Sequence, residues 1–193
     1  MMVKICGITN RDDAWAAIDG GASALGFNFF PQSPRYLTEE RAAALIPELP
    51  DTVWKVGVFV DEPAHCVAEI ARRLGLDVVQ LHGRETPAQY PAGFRIWKAF
   101  RVQSSVPEWL DCPAEAVLLD GPASGEPFDW SVAAGNGQRI ILAGGLSPEN
   151  VAEAIARVRP WGVDVCSRIE SAPGRKDHGR MATFLKAALA ALP

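Results

Sequence analysis

Eight short apolar runs recur along the chain, and most are followed by a segment whose apolar residues fall at helical spacing. Val53 to Val60 is the clearest of them, rich in β-branched residues and continuous enough to be a strand buried on both faces. Parallel strands are buried that way because the crossovers joining them cover both faces of the sheet. The other runs end at Gly7 or lie at Ala24–Phe27, Val78–Leu81, Arg95–Phe100, Ala116–Leu119, Ile140–Leu142 and Gly162–Val165. Apolar stripes lie between them: Ala14, Ala17 and Ile18; Ala42, Leu45, Ile46 and Leu49; Val67, Ile70, Ala71 and Leu74. The last two are Val151, Ala154, Ile155 and Val158, introduced by Ser147 as N-cap and Pro148 as first helical residue, and Met181, Phe184, Leu185, Ala188, Leu189 and Leu192.

Short crossovers between parallel strands turn right-handed, and eight such units can close on themselves. The recurrence therefore predicts an α/β fold, a closed (β/α)8 TIM barrel forming one domain over residues 1–193. The rival is an open doubly wound sheet, which usually carries a Gly-rich dinucleotide turn after its first strand; Cys6-Gly7-Ile8-Thr9 is not one. At 193 residues the chain is short for a fold that typically takes about 250. Pro87, Pro91 and Pro107, and a loop from Gly121 to Pro127 rich in Gly, Pro and Ser, predict shortened helices after strands four, five and six.

A net charge of −4 argues against bulk nucleic-acid binding and leaves room for a local basic pocket. The four cysteines, Cys6, Cys66, Cys112 and Cys166, lie too far apart for a metal knuckle or a redox motif. No apolar run approaches the roughly 20 residues of a membrane span, and the first strand begins by Val3, so a cytoplasmic location is expected.

In such a barrel the loops after the strands form the functional face. Cys6, Arg35, Asp61, His82, Asp120, Gly144-Gly145 and Ser167-Arg168 all fall there. Lys4 shares a strand face with Cys6, and a cation beside a thiol favours the thiolate, although cysteine also packs as a small hydrophobe. Asp120 before Gly121 also fits a turn, Gly144-Gly145 a loop, and His82 a strand-end hydrogen bond. Together these residues bring a thiol, a carboxyl, an arginine and a phosphate grip to one face. Turns after strands seven and eight are where the fold binds phosphate, so a phosphorylated sugar is the natural ligand.

Lys4-Ile5-Cys6-Gly7-Ile8-Thr9 and Gln80-Leu81-His82-Gly83 closely resemble the phosphoribosylanthranilate isomerases of tryptophan biosynthesis. Ser33-Pro34-Arg35-Tyr36, Leu118-Leu119-Asp120, Leu142-Ala143-Gly144-Gly145-Leu146 and Glu170 to Lys176 follow in the family's order. The resemblance implies an Amadori rearrangement with Cys6 as general base and Asp120 as general acid. Arg35 would meet the anthranilate carboxylate, with His82, Gly144, Gly145, Ser167 and Arg168 completing the substrate site. It implies no cofactor and no metal, since the ring-opened iminium is itself the electron sink. The expected partner is a phosphoribosyl small molecule, with no nucleic acid and no membrane, for a monomer or homodimer. Two departures stand out: the short loop between Asp120 and Asp129, and Arg168 where the family's phosphate loop would have glycine. A pentulose-phosphate epimerase would need histidine ligands at several strand ends, where only His82 stands; a non-catalytic phosphoribosyl-binding barrel is the rival of another class.

Overall fold

The structure is a computed structural model that describes residues 1–102, 112–121, 128–133 and 137–191. Eight parallel strands close into a barrel in chain order: β1 (Met2–Cys6), β2 (Ala24–Asn28), β3 (Trp54–Phe59), β4 (Val78–Leu81), β5 (Arg95–Arg101), β6 (Ala116–Asp120), β7 (Ile140–Leu142) and β8 (Gly162–Val165). Alternation along each strand divides the chain into two apolar layers. Met2, Ala24, Val56, Val78, Trp97, Leu118 and Ile141 pack inside the barrel. Val3, Ile5, Phe27, Phe59, Leu81, Leu119 and Val163 face the helices.

Helix α1 (Arg11–Asp19) starts where the Asn10 side chain accepts from the Asp13 amide at 2.9 Å, and α2 (Glu39–Leu45) where Thr38 does the same for Arg41. The stripe Ala42, Leu45, Ile46 and Leu49 is buried as expected. Pro47, which lacks an amide, lies in a 3-10 turn, Ile46–Glu48, that follows the α-helix. Helix α3 (Ala64–Leu74) ends on left-handed Gly75. Before α4 (Val151–Val158), the expected boundary shifts. Ser147 opens a turn, its amide donating to Asn150 Oδ1 at 2.8 Å, and Asn150 takes the capping position instead of Ser147. Helix α5 (His178–Ala190) buries Met181, Phe184, Leu185 and Ala188; Leu189 is 36% exposed, and Leu192 lies outside the described residues.

The crossover between β4 and β5 holds only a 3-10 turn, Pro87–Gln89, and among its described residues the crossover between β6 and β7 holds another, Trp130–Ala133. The shortened helix expected after β5, and most of the loop from Gly121 to Pro127, fall outside the described residues. A feature the sequence reading lacked is an antiparallel hairpin after β8, β9 (Glu170–Ala172) with β10 (Arg175–Lys176), turned at Gly174 with φ +77°. Among the described residues no helix is long and apolar enough to cross a membrane.

Candidate active site

The C-terminal ends of the strands surround a cavity of about 310 Å3. Cys6, Arg35, His82, Asp120, Gly144, Gly145, Ser167 and Arg168 all line it. Asp61, which the sequence places on the same rim, is not among the lining residues. It takes a left-handed φ of +52°, accepts from the Arg84 amide and lies where a side chain on Gly83 would have to go.

Cys6 ends β1, with Lys4 one alternation below it on the same inward face. Gly26 on β2 leaves room for both: a Cβ there would stand 2.8 Å from Cys6 Sγ and 3.0 Å from Lys4 Nζ. Lys4 is fully buried and bonds Asp164 Oδ1 at 2.9 Å. Burial pushes the Asp164 carboxyl up to about 7, against the opposing pull of Lys4. Burial also works against the Lys4 ammonium, but Asp164 and Cys6 outweigh it and hold Lys4 charged. The Cys6 thiol is held well below its ordinary range, first by a hydrogen bond with Cys166, then by Lys4, with burial opposing both.

Asp120 ends β6, its Oδ1 accepting from the Gly121 amide at 2.9 Å. Burial raises this carboxyl, with His82, the Gly121 amide and Arg101 pulling the other way. His82 Nε2 lies 3.8 Å from Asp120 Oδ2, and burial depresses the imidazole in spite of that neighbour. A neutral imidazole exerts little pull toward ionising Asp120, so the two depend on each other to keep a proton on the carboxyl.

Gly144 and Gly145, after β7, take φ of +69° and +68°. A Cβ on Gly144 would run into the Gly121 backbone and the Asp120 carboxyl, so this glycine lets the strand-seven turn approach Asp120. Asn150 donates to the Gly145 carbonyl at 3.0 Å and fixes the turn from below. Ser167 and Arg168 form a 3-10 turn after β8, with Arg168 exposed and its carbonyl accepting from Arg180 Nε at 2.9 Å. Left-handed backbone is confined to Asp61 and Arg159 among described non-glycine residues, so Arg168 carries none of the strain expected of an arginine replacing a left-handed glycine.

Arg35, expected at the anthranilate carboxylate, is already held within the protein by Glu170. Its Nη2 lies 2.6 Å from Glu170 Oε2 and its Nε 3.1 Å from Glu170 Oε1, an ion pair in which both partners are largely buried. Lys176, wholly buried, reaches the same Glu170 Oε1 at 3.1 Å. Sequence reading missed Glu170 and Lys176 as site-forming residues, although Pro173-Gly174 is a turn signal that would have paired their strands. It also missed Arg101 at the cavity wall, whose inward phase follows from counting in twos from Trp97.

Residues 3–187 match the family model for N-(5'-phosphoribosyl)anthranilate (PRA) isomerase. An N-(5'-phosphoribosyl)anthranilate isomerase of Solibacter usitatus is 52% identical, covering 100% of this chain and 99% of its own, and one of a Geobacter species is 50% identical over 95% of each. The crystal structure of phosphoribosyl anthranilate isomerase from Thermus thermophilus superposes with a TM-score of 0.91 at 39% identity, covering 98% of this chain and 99% of that one. Another isomerase structure, in complex with reduced 1-(o-carboxyphenylamino)-1-deoxyribulose 5-phosphate, superposes at 0.88 with 38% identity over 98% and 99% of the two chains. With barrel, cavity and near-complete sequence coverage in agreement, the chain belongs to the phosphoribosylanthranilate isomerase family.

Proposed function

We infer that the chain converts N-(5-phosphoribosyl)anthranilate to 1-(2-carboxyphenylamino)-1-deoxyribulose 5-phosphate, an Amadori rearrangement in tryptophan biosynthesis. In our reading Asp120 is the general acid and Cys6 the general base. Asp120 gives its proton to the furanose ring oxygen as the C1–O bond breaks, leaving an iminium between C1 and the anthranilate nitrogen. Cys6 then takes the proton from the adjacent sugar carbon, and the electron pair left behind neutralises the iminium. The resulting enol-amine tautomerises to the ketose.

The observation that carries these roles is the pair of opposite environments on one cavity. Burial favours a protonated Asp120, while Cys166 and Lys4 favour an ionised Cys6. Acid and base stand on β6 and β1, three places apart around the closed sheet, so a sugar between them meets one on each side.

Arg35 retains its Nη1 edge for the anthranilate carboxylate, the other edge being held by Glu170. The phosphate lies against the backbone of Gly144, Gly145, Ser167 and Arg168, the turns this fold uses for phosphate, with His82 beside the sugar. The complex of a relative with the reduced rearrangement product supports that substrate class.

Turnover followed by loss of the anthranilate adduct's fluorescence tests the roles. Cys6→Ala and Asp120→Asn should each lower kcat by about 10²-fold or more, with binding of a phosphorylated product analogue little changed. Turnover at the wild-type rate in either variant rejects that residue's role.

A further inference from the structure

Cys166 lies beside the base, yet no step of the rearrangement above uses it. Strands β1 and β8 run in register with Lys4 beside Asp164 and Ile5 beside Val165, so the next step along brings Cys166 beside Cys6. The Lys4–Asp164 bond shows that partners in this register turn their side chains to the same side, and strand alternation repeats that orientation two residues on. Gly7 leaves the space: a Cβ there would lie 3.0 Å from Cys166 Sγ. Both cysteines line the same cavity, and each bears on the other's ionisation, Cys166 favouring a Cys6 thiolate while Cys6 holds the Cys166 thiol protonated. Cys166 Sγ also lies 3.8 Å from Glu170 Oε1. Lys176 braces this arrangement, with its Nζ 3.3 Å from the Cys166 carbonyl and 3.1 Å from Glu170 Oε1. The Cys166 S–H thus stands between two acceptor groups, the neighbouring sulfur of Cys6 across the β1–β8 register and the Glu170 carboxylate 3.8 Å away.

We propose that Cys166 is a positioning residue for the base, its S–H directed at Cys6 Sγ while Cys6 is a thiolate and turned to Glu170 Oε1 once Cys6 has taken the substrate's proton. The turn is a rotation about the Cys166 Cβ–Sγ bond that moves one hydrogen and breaks no bond. In the first state the donor orients a lone pair of Cys6 and favours its ionised form. In the second, Glu170 accepts the hydrogen while remaining paired with Arg35 and Lys176. The inference rests on the reading of Cys6 as general base.

The other groups that act on Cys6 come from elements all round it. Lys4 on β1, Lys176 on β10 and Arg35 in the loop after β2 are cationic. Asp164 on β8, Asp120 on β6 and His82 after β4 complete the set. Substituting Cys166 removes none of the six; Lys176, whose Nζ lies 3.8 Å from Cys166 Sγ, keeps its bonds to the Cys166 carbonyl and to Glu170, and the serine variant keeps a polar partner for it.

Two readouts on Cys166→Ala and Cys166→Ser test the proposal: the acid limb of kcat/KM against pH, and the pH dependence of iodoacetamide alkylation at the Cys6 peptide, resolved by mass spectrometry. Cys166→Ala should move both midpoints upward by about one pH unit, the size expected for one lost donor to a charged acceptor. Cys166→Ser, whose hydroxyl can donate in the same place, should bring both back close to wild type. An alkylation midpoint that stays put in Cys166→Ala overturns the proposal, as does an equal displacement in both variants. If the alkylation midpoint moves as expected while the turnover limb does not, Cys166 still governs Cys6, and it is the reading of Cys6 as the base that fails.

Discussion

The surroundings of Cys6 favour its thiolate against its own burial, and the residues that do so leave little spare space. Lys4 and the Cys166 thiol act on a sulfur that stands against a bare glycine, Gly26. Gly26→Ala would place a methyl 2.8 Å from that sulfur and 3.0 Å from the Lys4 ammonium, so one of them must move. Since a misplacement of about 1 Å can cost about 10²-fold in rate, kcat should fall by about that factor, while urea unfolding shifts far less. Equal kcat in wild type and Gly26→Ala would show that the sulfur needs no such exact seat. The pH profile belongs to the same scale. With Cys6 as the proposed base and Asp120 as the proposed acid, activity should fall as pH drops through a thiol pKa that is lowered, and fall again as pH rises through a carboxyl pKa that is raised. The expected kcat/KM curve is a bell that extends below the range of an ordinary thiol and above that of an ordinary carboxyl. In Asp120→Asn the residual rate should keep the acid limb and lose the alkaline one. The sequence made Lys4 legible as a neighbour of Cys6, because strand alternation has a fixed period of two. Cys166 was not legible as one, because the proximity of residues 160 apart depends on the register in which β1 and β8 meet.

The β9–β10 hairpin does for the loop after β2 what a helix does elsewhere in the fold: it gives the loop a surface to be held against. Arg35 sits in a segment that Pro31 and Pro34 keep from regular structure, and Glu170 on β9 holds its guanidinium by two nitrogens. Gly174 tightens the hairpin by accepting Thr9 Oγ1 on its carbonyl at 2.6 Å, which ties it to the turn after Cys6. Glu170→Gln keeps the shape and removes the charge, so Arg35 should lose its fixed orientation and Lys176 its anionic partner. If Arg35 acts by gripping the substrate carboxylate, KM should rise by about 10-fold with kcat changed far less, since a uniform binding contact has been weakened. A kcat loss without a KM change would place Arg35's contribution in the chemical step instead. The motif Ser33-Pro34-Arg35-Tyr36 marked the arginine, but no local pattern marks a carboxylate 135 residues away as its holder. Strand and helix positions were legible because apolar periodicity is a local property. The helix after β7 starts three residues later than Pro148, because residues 148–150 form a turn closed by the Ser147 amide on Asn150 Oδ1 before the α-helix begins at Val151.

A closed barrel must join its first strand to its last, and here that seam is marked by a buried ion pair. Lys4 on β1 and Asp164 on β8 face each other inside the barrel, with Asp164 lining the cavity and an apolar layer on the barrel's inner side below the pair. The recurrence of eight strand-like runs made closure legible in the sequence; the polar seam is legible only once closure fixes which faces point inward. Burial penalises both charges, and their attraction offsets that penalty only while both are present. Lys4→Met should therefore destabilise the fold by about 3–5 kcal/mol at pH 8, where it strands a buried carboxylate, and by less at pH 5, where Asp164 takes a proton. The sign follows from the raised Asp164 pKa: with a folded value of about 7 against an ordinary value of about 3.9, the folded state binds a proton that the unfolded state does not. That contribution is complete below about pH 4 and is lost as pH rises through 7. Asp164→Leu strands the ammonium instead, and the double variant Lys4→Met/Asp164→Leu removes both charges from the seam. Urea unfolding of the four proteins at the two pH values should find the double variant more stable at pH 8 than either single one, with much of its pH dependence gone. A double variant as unstable as Lys4→Met alone would mean that the seam is held by shape and backbone pairing, with the ion pair contributing nothing to closure.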